Sequence, residues 1–433
     1  MMNLFLVKRV VAALLKRIKV LVPPFREGGL GGISTTAPVS MQTPLNKKII
    51  GLQRLFHRVT AKSIGVEIPP SPPSRKGGTT AVIQALMLFV ALAAAPQTQA
   101  TPTPPIIRIG VSTAGVGNPP RTPGGWSAVA QEHRYVEDEF AKEGVKVEWI
   151  FFKAQGPAVN EALSNNQLDF TTLGDLPSII GRSVGLDTRI VLVAGRRGNA
   201  YIAVRPDSGI KTVADLRGKR LALNKGTASQ LAANRIFATF GLAEKDVRII
   251  NMDPATAKAA LLSGDVDAFI NSFDLLRLQE EGKVRVIYNT KDFPIATYQA
   301  HLLVNQKFAQ AYPEATTRVV KAMVRAAHWS SEPQNRDAVF KMWGDAGGIR
   351  EVDYRKEYEG IPFAERLSPQ IDPFIIAIDK QSVADAYKFK LIRKPFDVDA
   401  WIDRRYLDAA LKELKLENYW PRFDAQGKLL AKS

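Results

Sequence analysis

Residues 156–175 read GPAVNEALSNNQLDFTTLGD, and residues 253–274 read DPATAKAALLSGDVDAFINSFD. Each opens on Pro-Ala, runs through an apolar pattern of helical period to Ala-Leu, turns on polar residues, and passes through Leu-Asp or Val-Asp into a short β-run. Each ends on an acidic residue, Asp175 or Asp274. The pair predicts one helix–turn–strand unit built twice, about a hundred residues apart. Any αβ fold contains such units, so the alternative is ordinary βα repetition. Two lobes of similar build is the sharper expectation, with a cleft where the strands' carboxyl ends face each other.

Outward from this echo the same rhythm continues. β-runs are expected at 106–111, 145–152, 168–173, 189–194, 201–204, 220–223, 248–251, 266–270 and 284–288. Helical patterns separate most of them, among them 127–141, 157–165 and 176–184. Short strands alternating with 10–15-residue helical patterns predict an α/β fold with a largely parallel, doubly wound sheet. From about Ala309 the chain turns mostly helical, over 314–331, 335–345, 379–390 and 397–416.

The chain has 433 residues, 59 Lys and Arg against 42 Asp and Glu, four His and no Cys. Zero Cys excludes disulfides, a thiolate nucleophile and a Cys-ligated metal. The net charge of +17 invites a nucleic-acid reading, but residues 1–100 hold 13 Lys and Arg and only Glu27 and Glu67. Most of the excess therefore lies outside the α/β region, which argues against a nucleic-acid partner. Residues 81–95, AVIQALMLFVALAAA, follow Arg75 and Lys76 and end before Thr98-Gln99-Ala100. Fifteen helical residues span about 22 Å, short of a roughly 30 Å hydrocarbon core. This layout predicts a signal peptide at 76–100, cleaved after Ala100, and a periplasmic protein. Residues 1–75 are expected to be an N-terminal extension, either translation upstream of the true start or an over-long export presequence.

The α/β region resembles the periplasmic solute-binding proteins of ABC importers, in the branch that takes up aliphatic sulfonates, taurine, nitrate and related anions. The resemblance rests on 147–157 (VEWIFFKAQGP), 168–177 (LDFTTLGDLP), 210–229 (IKTVADLRGKRLALNKGTAS), 254–274 and 391–399 (LIRKPFDVD). It implies a two-lobed periplasmic-binding-protein (type II) fold with a hinge of two crossing segments. Lobe one would be 106–197 plus 296–433, lobe two 198–295, and the crossings near 195–201 and 289–298. It further implies a monomer that passes a small organic anion to an ABC permease in the inner membrane. Nitrate, bicarbonate or a thiamin-precursor pyrimidine are the alternative ligands, and a pyrimidine-forming enzyme the alternative activity.

Candidate contacts are residues that follow a β-run and open a helix. Gly226, Thr227, Ala228 and Ser229 follow the run at 220–223; free backbone N–H groups and hydroxyls there suit an anion without any cationic side chain. The same hydroxyls suit an ordinary helix cap. Gln155 and Gly156 precede the helix at Pro157, and Gly174 and Asp175 end the run at 168–173. Asp175 is placed either to bind an amine or to cap the next helix. Ser272, Phe273 and Asp274 hold the matching position in the second copy, where many relatives carry Trp before the Asp. The Gly/Pro-rich loop 114–126 follows the first strand and offers Asn118, with Arg121 as an anion partner or a solvated side chain. Arg196 and Arg197, at the expected crossing, pose the same question. Trp126 and Phe273 are expected against the ligand's apolar part.

Catalytic signals are weak. There is no GxSxG, HExxH or Walker-type loop. Ser208-Gly-Ile-Lys211 matches SxxK by spacing, but Thr212 and Asp215 mark it as a capped turn. His133 lies among charged residues, and His301 and His328 have no carboxylate or second His at ligand spacing. No cofactor, metal site or catalytic residue is expected.

Overall fold

The computed structural model describes residues 102–292 and 296–431. The expected extension 1–75 and the signal segment 76–100 lie outside the described residues.

In chain order the strands are β1 (Ile106–Val111), β2 (Lys146–Phe151), β3 (Phe170–Gly174), β4 (Thr188–Gly198), β5 (Tyr201–Val204), β6 (Arg220–Leu223), β7 (Arg248–Asn251), β8 (Ala268–Asn271), β9 (Arg285–Asn289) and β10 (Tyr298–Asn305). They form two five-stranded sheets, β2-β1-β3-β10-β4 and β7-β6-β8-β5-β9. In the first, β1 pairs parallel with β2 and β3, and β10 runs antiparallel to β3 and β4. In the second, β6 pairs parallel with β7 and β8, and β5 runs antiparallel to β8 and β9. The expected pair of α/β lobes is present, and the expectation of largely parallel pairing is corrected, since each sheet is mixed. The reason is connectivity: β5 and β10 receive the chain from the other lobe, so each starts where its neighbours end.

The two sheets have the same strand order, with β3 and β8 at equivalent central positions. Helix Gly156–Ser164 precedes β3 and helix Pro254–Ser263 precedes β8, so the sequence echo marks a structural repeat. The repeat extends to an Arg–Asp clamp. Arg108 N and Nε donate to Asp169 Oδ2 (2.8 and 3.0 Å), and Nη2 donates to Oδ1 (2.7 Å). Arg220 makes the same three bonds to Asp267, at 2.7, 3.2 and 2.8 Å. Each Asp stands just before its central strand and fixes it to the neighbouring parallel strand by a bidentate pair.

Local chemistry explains the elements. Asp253 caps its helix by accepting from Ala255 N and Thr256 N, Pro254 fills the first turn, and Gly264 ends it at φ +87°. In the second sheet Tyr201 and Ala203 pack on one face, Ile202 and Val204 on the other, and all four are buried. Both faces carry helices, so polar alternation is absent there. In the first lobe, helix Pro313–Ser331 buries Val319, Val320, Met323, Val324 and Ala327 in the core.

Local expectations fall short in several places. The helix expected over 127–141 is two, Gly125–Glu132 and Tyr135–Phe140, because Arg134 takes a left-handed conformation (φ +53°) between them. The helix expected over 397–416 starts only at Arg405. Helix Glu351–Glu357, unread in the sequence, is charged on most positions yet buries Asp353, Tyr354 and Glu357.

Candidate functional site

The chain leaves the first sheet at β4 and enters the second at β5, with only Asn199 and Ala200 between; it returns from β9 to β10. The cleft side of each sheet carries the loops after β1, β2, β3, β6 and β8. Five of the expected contact residues meet there across the two lobes. Gly156 packs on Pro177: a Cβ at Gly156 would lie 2.8 Å from Pro177 Cγ and 3.4 Å from Gly226 O. A Cβ at Gly226 would lie 3.2 Å from Pro157 Cγ, and one at Gly174 would lie 3.3 Å from Ala228 Cβ. Gln155, held at φ +59°, accepts from Asn224 Nδ2 through its Oε1 (3.0 Å). Glycine at 156 thus lets Pro177 of the same lobe pack on it, and glycine at 174 and 226 allows the lobes to touch.

Three helices start at this junction: Gly156–Ser164, Asp175–Ser183 and Ala228–Thr239. None has a capping bond from its N-cap side chain. The hydroxyls expected to serve as a cap are used otherwise. Thr227 Oγ1 donates to Asn224 O (2.6 Å), and Ser229 Oγ accepts from the Tyr298 hydroxyl (3.3 Å). Three helix starts therefore meet, and those at Gly156 and Ala228 have no side-chain acceptor, which favours negative charge beside them.

Asp175 is buried, and its Oδ1 accepts from its own Leu176 N (2.7 Å). Desolvation pushes its carboxyl up to about 6, against the lowering effect of Arg235 and the Leu176 bond. Behind it His301 Nε2 lies 3.1 Å from Asp379 Oδ2, both side chains buried. Burial lowers His301, but the Asp379 charge and contact outweigh it and hold the imidazole above its usual value. Sequence spacing hid these carboxylates from His301. Arg235, on the second lobe's helix Ala228–Thr239, reaches across to Asp385 Oδ2 (2.8 Å) and Ser382 Oγ (3.0 Å) of helix Pro373–Lys388.

The second group lies elsewhere along the junction. Asp274 accepts from Asn271 Nδ2 (2.8 Å) and Ser272 Oγ (3.1 Å) and pairs with Lys258 (2.7 Å), so its charge is already matched. Phe273 meets Tyr354 of the first lobe edge-on, centroids 5.2 Å apart. Tyr354 donates to Pro123 O (2.5 Å), which ties it to the loop after β1.

One further expectation is corrected. Trp126 is 1% exposed in the first lobe's core, its indole N–H unpartnered; the helix that begins beside it turns the ring inward rather than toward a ligand. Asn118 is exposed on the loop after β1, which touches Ala346 and Gly348 and holds Tyr354 through Pro123. Arg121 pairs with Glu132 (2.7 Å) at the surface, the solvated role. Arg196 is buried against Asp372 (3.1 Å), and Arg197 pairs with Glu365 (2.8 Å) and stacks over Phe374. Each of these arginines has its own carboxylate. Two cavities lie on the hinge side: about 300 Å³ lined by Arg196, Arg197, Thr290 and Arg366, and about 460 Å³ lined by Arg235, Gln381 and Asp385. The first is lined by two of the candidate arginines, and neither is lined by the glycines or hydroxyls expected as contacts.

Lys211 N and Thr212 N both donate to Asp215 Oδ2, so the SxxK segment is a capped turn. Among the described residues no three His, Asp or Glu are placed to hold a metal, and no helix is long and apolar enough to cross a membrane. Residues missed in the sequence are Asn224, Arg235, Tyr298 and Tyr354; each acts through a partner in the other lobe, which no local pattern signals.

The family described as NMT1/THI5 like matches residues 128–336. A periplasmic sulfonate-binding protein of Methylobacillus flagellatus KT superposes with a TM-score of 0.62 at 30% identity, covering 74% of this chain and 97% of that one. An aliphatic sulfonates-binding protein of Bacillus subtilis (strain 168) is 28% identical over 66% of this chain and 84% of its own length. A taurine-binding periplasmic protein of Escherichia coli (strain K12) is 25% identical over 48% of this chain and 68% of its own.

Proposed function

The chain belongs to the NMT1/THI5-like family of periplasmic binding proteins, and on that premise we propose that it captures an aliphatic sulfonate between its lobes and delivers it to an ABC permease. The observation that carries this reading is the meeting of three helix starts, Gly156, Asp175 and Ala228, none capped by its N-cap side chain, at the junction of the two lobes. A sulfonate oxygen set matches backbone N–H donors from both lobes and needs no cationic side chain. Phe273 and Tyr354 supply an apolar wall for the organic part, which an inorganic anion would not use. Ligand contacts drawn from both lobes exist only when the lobes are together, so binding shifts the hinge towards closure. The protein acts in the periplasm as a monomer, exported by the segment at 76–100, and binds rather than transforms its ligand.

A thermal-shift panel tests this with taurine, longer alkanesulfonates, a phosphonate, nitrate, bicarbonate and a pyrimidine. Ligand bound to the native state alone raises the melting temperature by mass action. Sulfonates are expected to raise it and inorganic anions to leave it unchanged. A shift confined to nitrate, bicarbonate or the pyrimidine, or none at all, overturns the assignment.

A further inference from the structure

The crossing segments carry a buried polar network that ligand capture does not by itself require. Glu357, the last residue of helix Glu351–Glu357 in the first lobe, has no exposed surface. A carboxylate in that position is tolerable only if its oxygens are bonded. Oε1 accepts from Asn199 Nδ2 (2.7 Å) and Arg366 Nη2 (3.0 Å), and Oε2 accepts from the Tyr201 hydroxyl (2.7 Å). Asn199 belongs to the first crossing. Its Oδ1 accepts from Thr290 Oγ1 (3.3 Å), at the start of the second crossing, and that same Oγ1 accepts from Ala200 N (2.8 Å). The two crossings are therefore bonded to each other and to one carboxylate.

Tyr201 differs from the other donors. It opens β5, and its ring is part of the second lobe's core. Burial and the nearby Glu357 charge both raise its phenol, so it stays protonated and donates. Rotation of the lobes about the crossings swings this ring, and with it the hydroxyl, relative to Glu357. A hydrogen bond with one preferred length and direction then selects one angle between the lobes.

We propose that Glu357 is the positioning residue of the hinge: through Tyr201 it holds the second lobe at the closed angle, so that part of the closure energy is built into the protein before ligand arrives. This rests on the capture-by-closure reading above, and its test is independent of the ligand's identity. The chain has no cysteine, so Glu161→Cys and Lys245→Cys, two exposed positions on opposite lobes and outside the crossing segments, accept a spin-label pair without other changes. Distance distributions are measured on the ligand-free protein, with Tyr201→Phe, Glu357→Gln and the double variant in that background. Tyr201→Phe keeps the buried ring, so it remains informative if Glu357→Gln does not fold.

The labelled wild type is expected to show a short-distance population, and either variant to move that population to longer distances. The double variant should move it no further than Glu357→Gln alone, because Tyr201→Phe then removes a partner of a carboxylate that is already gone. For a panel anion that binds, dissociation should quicken about tenfold in Tyr201→Phe, as for loss of a hydrogen bond to a charged group. A wild type wholly open without ligand, or variants that keep its distances and merely melt lower, overturns the proposal. A panel in which no anion binds counts against the sulfonate assignment, while the label distances still judge the hinge.

Discussion

Asp175 shows how a residue's role changes once its surroundings are known. By sequence it was either an amine ligand or a cap; in the fold it is a buried carboxyl beside His301 and Asp379. Its native value of about 6 stands above the 3.8 of an ordinary aspartate, so the folded protein holds a proton that the unfolded chain has lost across that window. Stability must then fall as pH rises from about 4 to about 6, by roughly 3 kcal/mol at most from this group. His301 acts in the same direction at higher pH: its raised value gives stability present below about 6.5 and lost as pH climbs through the native value. Urea unfolding of Asp175→Asn should therefore match wild type near pH 4, exceed it increasingly between about pH 4 and 6, and keep a constant excess from this group above that. Parallel pH curves for the two proteins would refute the assignment. Gly156 is the second instructive residue. The sequence flagged it for close backbone approach, and the approach turns out to be to Pro177 and Gly226. Gly174→Ala should weaken anion binding more than it lowers the ligand-free melting temperature, since the added methyl group meets Ala228 of the other lobe, whereas Gly156→Ala should lower the melting temperature through its clash with Pro177 in the same lobe.

At the scale of elements, the Arg–Asp clamps fix the central strand of each lobe in register. The Asp169 side chain is 7% exposed and that of Asp267 is 29% exposed, so the two copies differ in solvent screening. Asp169→Asn is expected to cost about 1–3 kcal/mol, as for a lost buried hydrogen bond to a charged group. Asp267→Asn should cost visibly less; equal melting-point losses would mean that burial does not set the clamp's strength. Every strand but β10 and most helices were legible because their causes are local: Pro254 after Asp253, Gly264 at the helix end, the short continuous apolar run of β5. The break at Arg134 was not, because a left-handed Arg leaves no mark in a hydropathy pattern. Helix Glu351–Glu357 was hidden for a different reason. Its support is Arg350 with Asp353 and Arg355 with Glu351, plus one buried tyrosine, none of which yields an apolar period.

For the whole molecule the governing feature is how the two lobes hold each other. Arg235 pairs with Asp385 at a site about seven-eighths buried, where salt screens poorly. Glu280 pairs with Arg350 (2.6 Å) and with Lys356 on a more exposed flank, where such pairs contribute little. Asp385→Asn should therefore raise the dissociation constant of the bound anion about tenfold at both low and high salt, read by titration calorimetry. Loss only at low salt, or none, would place the pair outside the closure machinery. The sequence by itself determined the α/β class, the internal repeat, the glycines at the junction and the family, because each is written in local pattern or in matched segments. Only the tertiary structure decided which charges are free. Arg121, Arg196 and Arg197 all proved to be paired, Trp126 proved to be core, and Tyr201, Arg235 and Tyr354 proved to act across the lobes. The physical reason is that a charge or a hydroxyl is defined by its partner, and in this fold the partners of the site residues come from segments distant in the chain.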